Sequence, residues 1–442
     1  MKSFIAEEVR RFESKRPRSR AAAAGAQTAG FHGGVPMHWM RDWPMPFPMI
    51  VAKAQGATLT DIDGNTLDDF CLGDTGAMFG HSPAPVVAAI TSQAARGMTH
   101  MLMTEDAAAV GELLRERFGL PHWQVATTAS DANRFALRVA RAVTGRRQVL
   151  VMNGCYHGAV EDSYITLREG RAINRPGVIG QAVDVTQTSR IVEFNDLAAL
   201  EAALAPRDVA VVMMEPALTN CSMVLPHPGY LEHVRRLTRA AGTLLLIDET
   251  HTISAGPRGY SGAHGIEPDL FVLGKPIAGG LPASVWGFSD DVAERWTRVM
   301  AEKPEGHSGV GTTLSANALQ LAAMRAMLGE VMSETAYAHM ISQAERLAAG
   351  FNEVIRRRGR PWHVSRIGAR VEFAFASQPF RNGGEAMAAH VGALEHALHL
   401  ALVNHGCLIT PFHNMMLVCP QTSAAQVDRL VAGFDDALGR LP

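Results

Sequence analysis

Four short apolar runs constrain this chain more than any other feature: Gln148–Met152, Val209–Met214, Thr243–Ile247 and Leu270–Leu273. Each has the length of one strand, and none alternates strictly between apolar and polar residues. A strand that is apolar on both sides needs cover on both sides, as in a parallel sheet held between helical layers. The joining segments can supply that cover. Apolar residues recur with helical spacing at Ala107–Phe118, Ala132–Thr144, Leu197–Leu204 and Tyr230–Ala241. The alternation is the βαβ rhythm of an α/β fold.

The rhythm runs from about residue 101 to 300. Residues 1–30 predict an exposed amphipathic helix followed by an Ala-rich linker, and residues 31–50 a packed, irregular stretch dense in Pro, Met and aromatic residues. Alternation around Asp63-Gly64 predicts a hairpin. Beyond residue 330, a long helix (Glu334–Arg358) leads into a mixed tail. Strands are expected at Val371–Ala376, Leu408–Thr410 and Met415–Cys419, and helices at Ala386–His405 and Ala424–Leu438. The 442 residues suit two or three domains. We expect an N-terminal segment at 1–75, a large domain at 76–330 and a C-terminal part at 331–442, with both termini building a smaller α+β domain.

Charge and composition exclude several partners. The chain holds 41 basic and 43 acidic residues and no long basic run, so no nucleic acid is expected. No apolar stretch approaches the roughly 18 residues of a membrane span, and the charged N-terminus is no secretory signal. Cys71, Cys155, Cys221, Cys407 and Cys419 are widely separated, with no metal-ligand spacing and no disulfide framework. A reducing, cytoplasmic setting is the simplest expectation.

The chemistry should lie beyond the carboxyl ends of the strands, where open α/β sheets carry their sites. Glu215-Pro216 follows one apolar run, Asp248-Glu249-Thr250 a second and Gly274-Lys275 a third. Lysine is scarce here (Lys2, Lys15, Lys53, Lys275 and Lys303), so one beside an apolar run needs a reason. Lys275 and a carboxylate can form a buried ion pair. Alternatively, Lys275 is a partly desolvated amine able to attack a carbonyl. The second reading points to pyridoxal 5'-phosphate, which needs a Schiff-base lysine, an acid for its ring nitrogen, a phosphate cradle and a flat neighbour. Lys275 and Asp248 suit the first two needs. Thr127-Thr128-Ala129-Ser130-Asp131 opens a helix and is either a phosphate cradle or an ordinary cap. Tyr156 in Tyr156-His157-Gly158 offers a ring for stacking.

With these residues in place, the chain resembles the class III aminotransferases of pyridoxal-phosphate fold type I. It is most similar to the group holding glutamate-1-semialdehyde aminomutase, β-phenylalanine aminotransferase and D-phenylglycine aminotransferase. The matches run in order: Gly33-Gly34-Val35, Asp61–Asp69, Gly80-His81, residues 127–133 (TTASDAN), Cys155-Tyr156-His157-Gly158, Phe194-Asn195-Asp196, Glu215-Pro216, Asp248-Glu249, Leu273-Gly274-Lys275, Gly279-Gly280 and residues 311–317 (GTTLSAN). The resemblance implies a large domain with a mostly parallel seven-stranded sheet. It implies that Lys275 holds the cofactor and moves the proton, that Asp248 pairs with the ring nitrogen, and that Tyr156 stacks on the ring. Thr128, Ala129 and Ser130 would hold the phosphate, with Asn133, His157 and Thr250 nearby and Glu215 beside the cofactor hydroxyl or the Schiff base. Thr313 would reach the phosphate of a neighbouring subunit, which implies a homodimer with sites at the subunit interface.

Three departures bear on the transfer. Ala129 stands where the phosphate loop usually has glycine, Thr250 where valine usually packs under the ring, and His251 where an apolar residue is frequent. The segment that anchors the substrate carboxylate in the aminomutases also departs, with Met40 at the aligned position and Arg41 beside it. Trp39, Arg41, His251 and His413 are the candidate substrate contacts. The leading expectation is therefore a transaminase that takes an amino acid donor, α or β, with aromatic or hydrophobic side groups among the candidates, and a keto acid acceptor. An aminomutase or an amino-acid racemase on the same scaffold is the alternative, and a non-catalytic cofactor-binding homologue is the third reading.

Overall fold

The computed structural model describes residues 1–441. The chain divides into two compact units. One comprises Ala84–Glu334 with Phe380–Ala388; the other comprises Met1–Pro83, Thr335–Pro379 and the chain from Ala389 onward.

The first unit is built on a seven-stranded sheet. Across it the strands run His122–Ala126, Ser284–Phe288, Leu270–Leu273, Leu244–Asp248, Val209–Met214, Gln148–Met152 and Ser189–Val192. Ser284–Phe288 pairs antiparallel with both of its neighbours, and every other pairing is parallel. All residues of Val209–Met214, Leu244–Asp248 and Leu270–Leu273 are buried. Their unbroken apolar character thus reflects helical cover on both faces, and each large aliphatic side chain there contributes about 1.5–3 kcal/mol on burial. The expected helices form at Asp106–Phe118, Ala129–Thr144, Leu197–Leu204 and Tyr230–Ala241.

Three strands of this sheet were not expected. His122–Ala126 and Ser189–Val192 are the edges of the sheet, where polar residues interrupt the apolar signal. Ser284–Phe288 is internal, but Gly287 breaks its pattern. That glycine leaves room for Trp123, whose ring carbons would lie 2.8 Å from an added Cβ.

The second unit holds the predicted hairpin, with Thr58–Asp61 antiparallel to Thr66–Asp69 and Gly64 at φ 90° between them. Its core centres on Phe351, Phe373 and Phe434, and the rings of Phe351 and Phe434 stack at 4.1 Å. Three expectations need correction. The N-terminal helix Lys2–Ser14 buries Phe4 and Phe12, so it is not an exposed one. The Ala-rich stretch after it is a second helix, Pro17–Ala26, started by Pro17 in its first turn and sustained by alanine. The single helix expected at 386–405 is two, Gly383–Ala388 and Gly392–Asn404, because the chain leaves helical geometry before Val391. Among the described residues no helix is long and apolar enough to cross a membrane.

Candidate active site

Asp248 ends the strand Leu244–Asp248, and its side chain is buried. Oδ2 accepts hydrogen bonds from Asn133 Nδ2 and His157 Nδ1, each at 2.9 Å. Oδ1 accepts from the Thr250 N–H at 3.1 Å. Burial pushes the Asp248 pKa up, but the bond to His157 and its charge, with Thr250 and Asn133, outweigh burial and bring it down to about 2. His157 responds in the opposite sense. Burial opposes its charged form, but the Cys155 sulfur and the Asp248 carboxylate outweigh burial and raise the ring to about 10. The strand end therefore carries a buried, ionised carboxylate fixed by three donors. Asn133 also donates to the His157 carbonyl at 3.1 Å, which links the helix Ala129–Thr144 to the loop after Gln148–Met152.

Lys275 follows the neighbouring strand. Asp248 lies beside Val272 in parallel register, which brings the two strand ends together. Lys275 begins a short helical turn, Lys275–Ala278, at φ 47°. A non-glycine residue in this left-handed region is strained by about 1–2 kcal/mol, as is common at functional sites. Its Nζ lies 2.7 Å from His251 Nε2. The unusual Thr250 hydroxyl is used by the backbone: it accepts from the Gly274 N–H at 3.3 Å and ties one strand-end turn to the other.

The helix Ala129–Thr144 presents its N-terminus in the same unit. Thr128 is its cap, accepting from the Asp131 N–H at 3.2 Å and donating to Asp131 Oδ2 at 2.9 Å. Ala129 is the first helical residue and has no positive φ, so the methyl that replaces the usual glycine hydrogen meets no backbone conflict. Ser130 Oγ accepts from the Ala159 N–H at 2.9 Å. Gly158, at φ 82°, permits this approach, because an added Cβ would lie 3.1 Å from Ser130 Cα. Gly274 packs just as closely on Ala129, with an added Cβ 2.9 Å from the alanine methyl.

The structure thus brings Thr128, Ala129, Ser130, Asn133, His157, Asp248, Thr250, His251 and Lys275 together through their mutual contacts. Tyr156 is half-buried between the buried Cys155 and His157. Glu215 is buried directly after Val209–Met214 and accepts the Thr219 hydroxyl hydrogen bond. Thr313 is exposed in the same unit. Trp39, Arg41 and His413 belong to the other unit. There Trp39 is exposed, Arg41 lies over Gly33, and His413 is buried 3.5 Å from Glu372. Sequence reasoning did not find the direct Lys275–His251 contact or the hold of His157 on Asp248. The signal was available in the polar residues that close neighbouring strands, but their pairing depends on strand order.

The residues fit pyridoxal phosphate. A buried carboxylate held ionised suits a protonated pyridine nitrogen, and an amine lies at the adjacent strand end. The N-terminus of a 16-residue helix suits a phosphate. One buried atom in this region, Asn133 Oδ1, has no hydrogen-bond partner within the chain, as expected where a polar donor is still to be met.

Fold and site together define a pyridoxal-phosphate-dependent enzyme of fold type I. The aminotransferase class-III family matches residues 40–438, and the chain belongs to it. A glutamate-1-semialdehyde 2,1-aminomutase from Desulfitobacterium hafniense is 33% identical over 369 residues, covering 80% of this chain and 84% of that protein. A crystal structure of a glutamate-1-semialdehyde-aminomutase from Pseudomonas aeruginosa PAO1 superposes with a TM-score of 0.97 at 51% identity, over 99% of this chain and 98% of that one. A lysine-to-alanine variant described in the same terms was solved in complex with PMP, and matches with a TM-score of 0.98 over 100% of this chain and 98% of that one. A β-phenylalanine aminotransferase from Variovorax paradoxus has a TM-score of 0.87 at 25% identity, over 99% of this chain and 97% of that one.

Proposed function

We propose that the protein is an aminomutase that moves an amino group between adjacent carbons of one small substrate, glutamate 1-semialdehyde or a close relative. The observation that carries this reading is the 51% identity, over 99% of the chain, with the structure named a glutamate-1-semialdehyde-aminomutase. The departure at Met40 and Arg41 had favoured a transaminase, but a likeness sustained over the whole chain outweighs one loop.

Bound at this site, pyridoxal phosphate supplies an electron sink for charge developing at an amino-bearing carbon. Lys275 is the residue that holds the cofactor and moves a proton at Nζ. Asp248, kept ionised, holds the proton of the ring nitrogen. Thr128, Ala129 and Ser130 would receive the phosphate at the helix N-terminus, Tyr156 would stack on the ring, and Glu215 would lie near the cofactor's hydroxyl or the Schiff base. The same reading includes a homodimer in which Thr313 reaches the neighbouring subunit. Exposed apolar side chains support that part: Met101, Leu102 and Met103 are 78%, 76% and 88% exposed, and Leu314 beside Thr313 is 54% exposed. A cytoplasmic location is supported by Cys71, Cys155, Cys221, Cys407 and Cys419, which are all free thiols, as a reducing compartment keeps them.

The test is to load the protein with pyridoxamine phosphate and add glutamate 1-semialdehyde alone. Formation of the isomeric 5-amino-4-oxopentanoate over many turnovers, without a keto acid, is expected. A strict need for a keto acid acceptor would establish the second reading, transamination between an amino acid and a keto acid, which the likeness to the β-phenylalanine aminotransferase supports.

A further inference from the structure

The 2.7 Å between Lys275 Nζ and His251 Nε2 is short enough for one hydrogen to be shared between two nitrogens. His251 is buried, and Lys275 is half-buried. Both sit on turns that the chain fixes from several sides. The Thr250 hydroxyl accepts the Gly274 N–H at 3.3 Å, and the His251 carbonyl accepts the Ser254 N–H at 3.3 Å. Lys275 itself is held at φ 47°.

An ammonium group has no lone pair. Lys275 must therefore release a proton before Nζ can attack a carbonyl or take a proton from carbon. The lone pair of a neutral imidazole nitrogen can accept that proton across a direct hydrogen bond. The two carboxylates nearest to His251 in the sequence, Glu249 and Asp248, are occupied elsewhere. Asp248 is held by His157, Asn133 and Thr250. Glu249 accepts from the Ser261 and Tyr260 N–H groups and from the Ser261 and Thr252 hydroxyls.

We propose that His251 is the proton partner of Lys275. One Nζ–H bond breaks, an N–H bond forms at His251 Nε2, and the electron pair stays on Nζ; the reverse transfer restores the ammonium. No further reactant is needed. His251 acts through Lys275 and is in that sense a positioning residue. The inference rests on Lys275 being the reacting lysine and holds equally for mutase and transaminase chemistry.

The test uses the full-length apoprotein and no substrate. Trinitrobenzenesulfonate labelling near neutral pH is followed by peptide mass spectrometry, with the exposed Lys53 and Lys303 as internal standards. His251→Gln retains a hydrogen-bonding group but cannot carry the proton, and His251→Leu retains neither. Labelling of Lys275 is expected to fall about tenfold or more in both variants while the standards are unchanged. Added pyridoxal phosphate is expected to build the visible band about tenfold more slowly in both, to the wild-type final amplitude. Wild-type labelling of Lys275 in either variant would overturn the proposal. So would full recovery of both rates in His251→Gln, which would reduce His251 to a spacer. If instead the cofactor assignment failed, the wild-type protein would form no visible band, and the labelling comparison would still decide the pair.

Discussion

His157 Nδ1 lies 2.9 Å from Asp248 Oδ2, with both side chains buried, and the pair is charged in the folded protein. Asp248 falls from an ordinary value of 3.8 to about 2, so its contribution to stability is present above pH 3.8 and is lost as the pH falls through about 2. His157 rises from 6.5 to about 10, so its contribution is complete below pH 6.5 and is lost as the pH rises through about 10. Breaking a buried pair by removing one partner costs about 3–5 kcal/mol. His157→Phe should therefore lower the unfolding midpoint of the apoprotein most near pH 6, with the gap to wild type closing toward pH 10. A gap that stays constant over this range would show that packing, not charge, is what His157 provides.

Asp248 and Lys275 should fail in different ways. Asp248→Asn keeps the shape of the side chain but removes the charge opposite the ring nitrogen. It should still bind cofactor and show colour, while turnover drops roughly 100-fold or more, about 2.7 kcal/mol at 1.36 per decade. Lys275→Ala should retain the fold and bind pyridoxamine phosphate, but show no turnover and no lysine-dependent visible band. Absorption spectra with single-turnover assays separate the two patterns. Substantial catalysis by Lys275→Ala would remove the lysine from its assigned role.

These residues differ in how far they could be read before the structure. Asp248 and Lys275 were legible because Asp248 directly closes one continuous apolar run and Lys275 follows another across Gly274, and a strand end has a definite chemical meaning in an α/β sheet. The edge strands His122–Ala126 and Ser189–Val192 were not legible, since Gln124 in the one and Ser189 and Arg190 in the other interrupt the apolar pattern. Nor was the link from Asn133 to Asp248, which joins residues 115 apart in sequence. Such a bond depends on which helix covers which strand, and local periodicity does not encode that. Thr250 shows a subtler limit. Its hydroxyl was visible as a departure from the usual valine, but only the register of Leu244–Asp248 against Leu270–Leu273 reveals the Gly274 N–H as its partner.

That bond makes Thr250→Val informative, although valine is nearly the same shape. The substitution leaves the buried Gly274 N–H without the acceptor it now has, and such a loss costs about 1–3 kcal/mol. Because Gly274 precedes Lys275, the effect should extend beyond stability. The visible band should form more slowly in Thr250→Val, because the Lys275 amine is then misplaced. Thr250→Ser, which keeps the hydroxyl, should restore that rate. If Val and Ser variants behave alike, the hydroxyl has no part in placing the lysine.

Gly158 tests the phosphate cradle without touching any group assigned to chemistry. Its φ of 82° is unfavourable for a side chain, and an added methyl would collide with Ser130 Oγ and lie 3.1 Å from Ser130 Cα. Ser130 would have to move, and its acceptance of the Ala159 N–H at 2.9 Å would be broken. The main effect of Gly158→Ala should therefore fall on affinity for the phosphate group: pyridoxal phosphate binding weakens about tenfold or more, roughly 1.4 kcal/mol. Binding of pyridoxal, which lacks the phosphate, should change much less. Fluorescence titrations of the apoprotein with both compounds give the two dissociation constants. Equal losses for pyridoxal and pyridoxal phosphate would place the damage at the ring and not at the helix N-terminus.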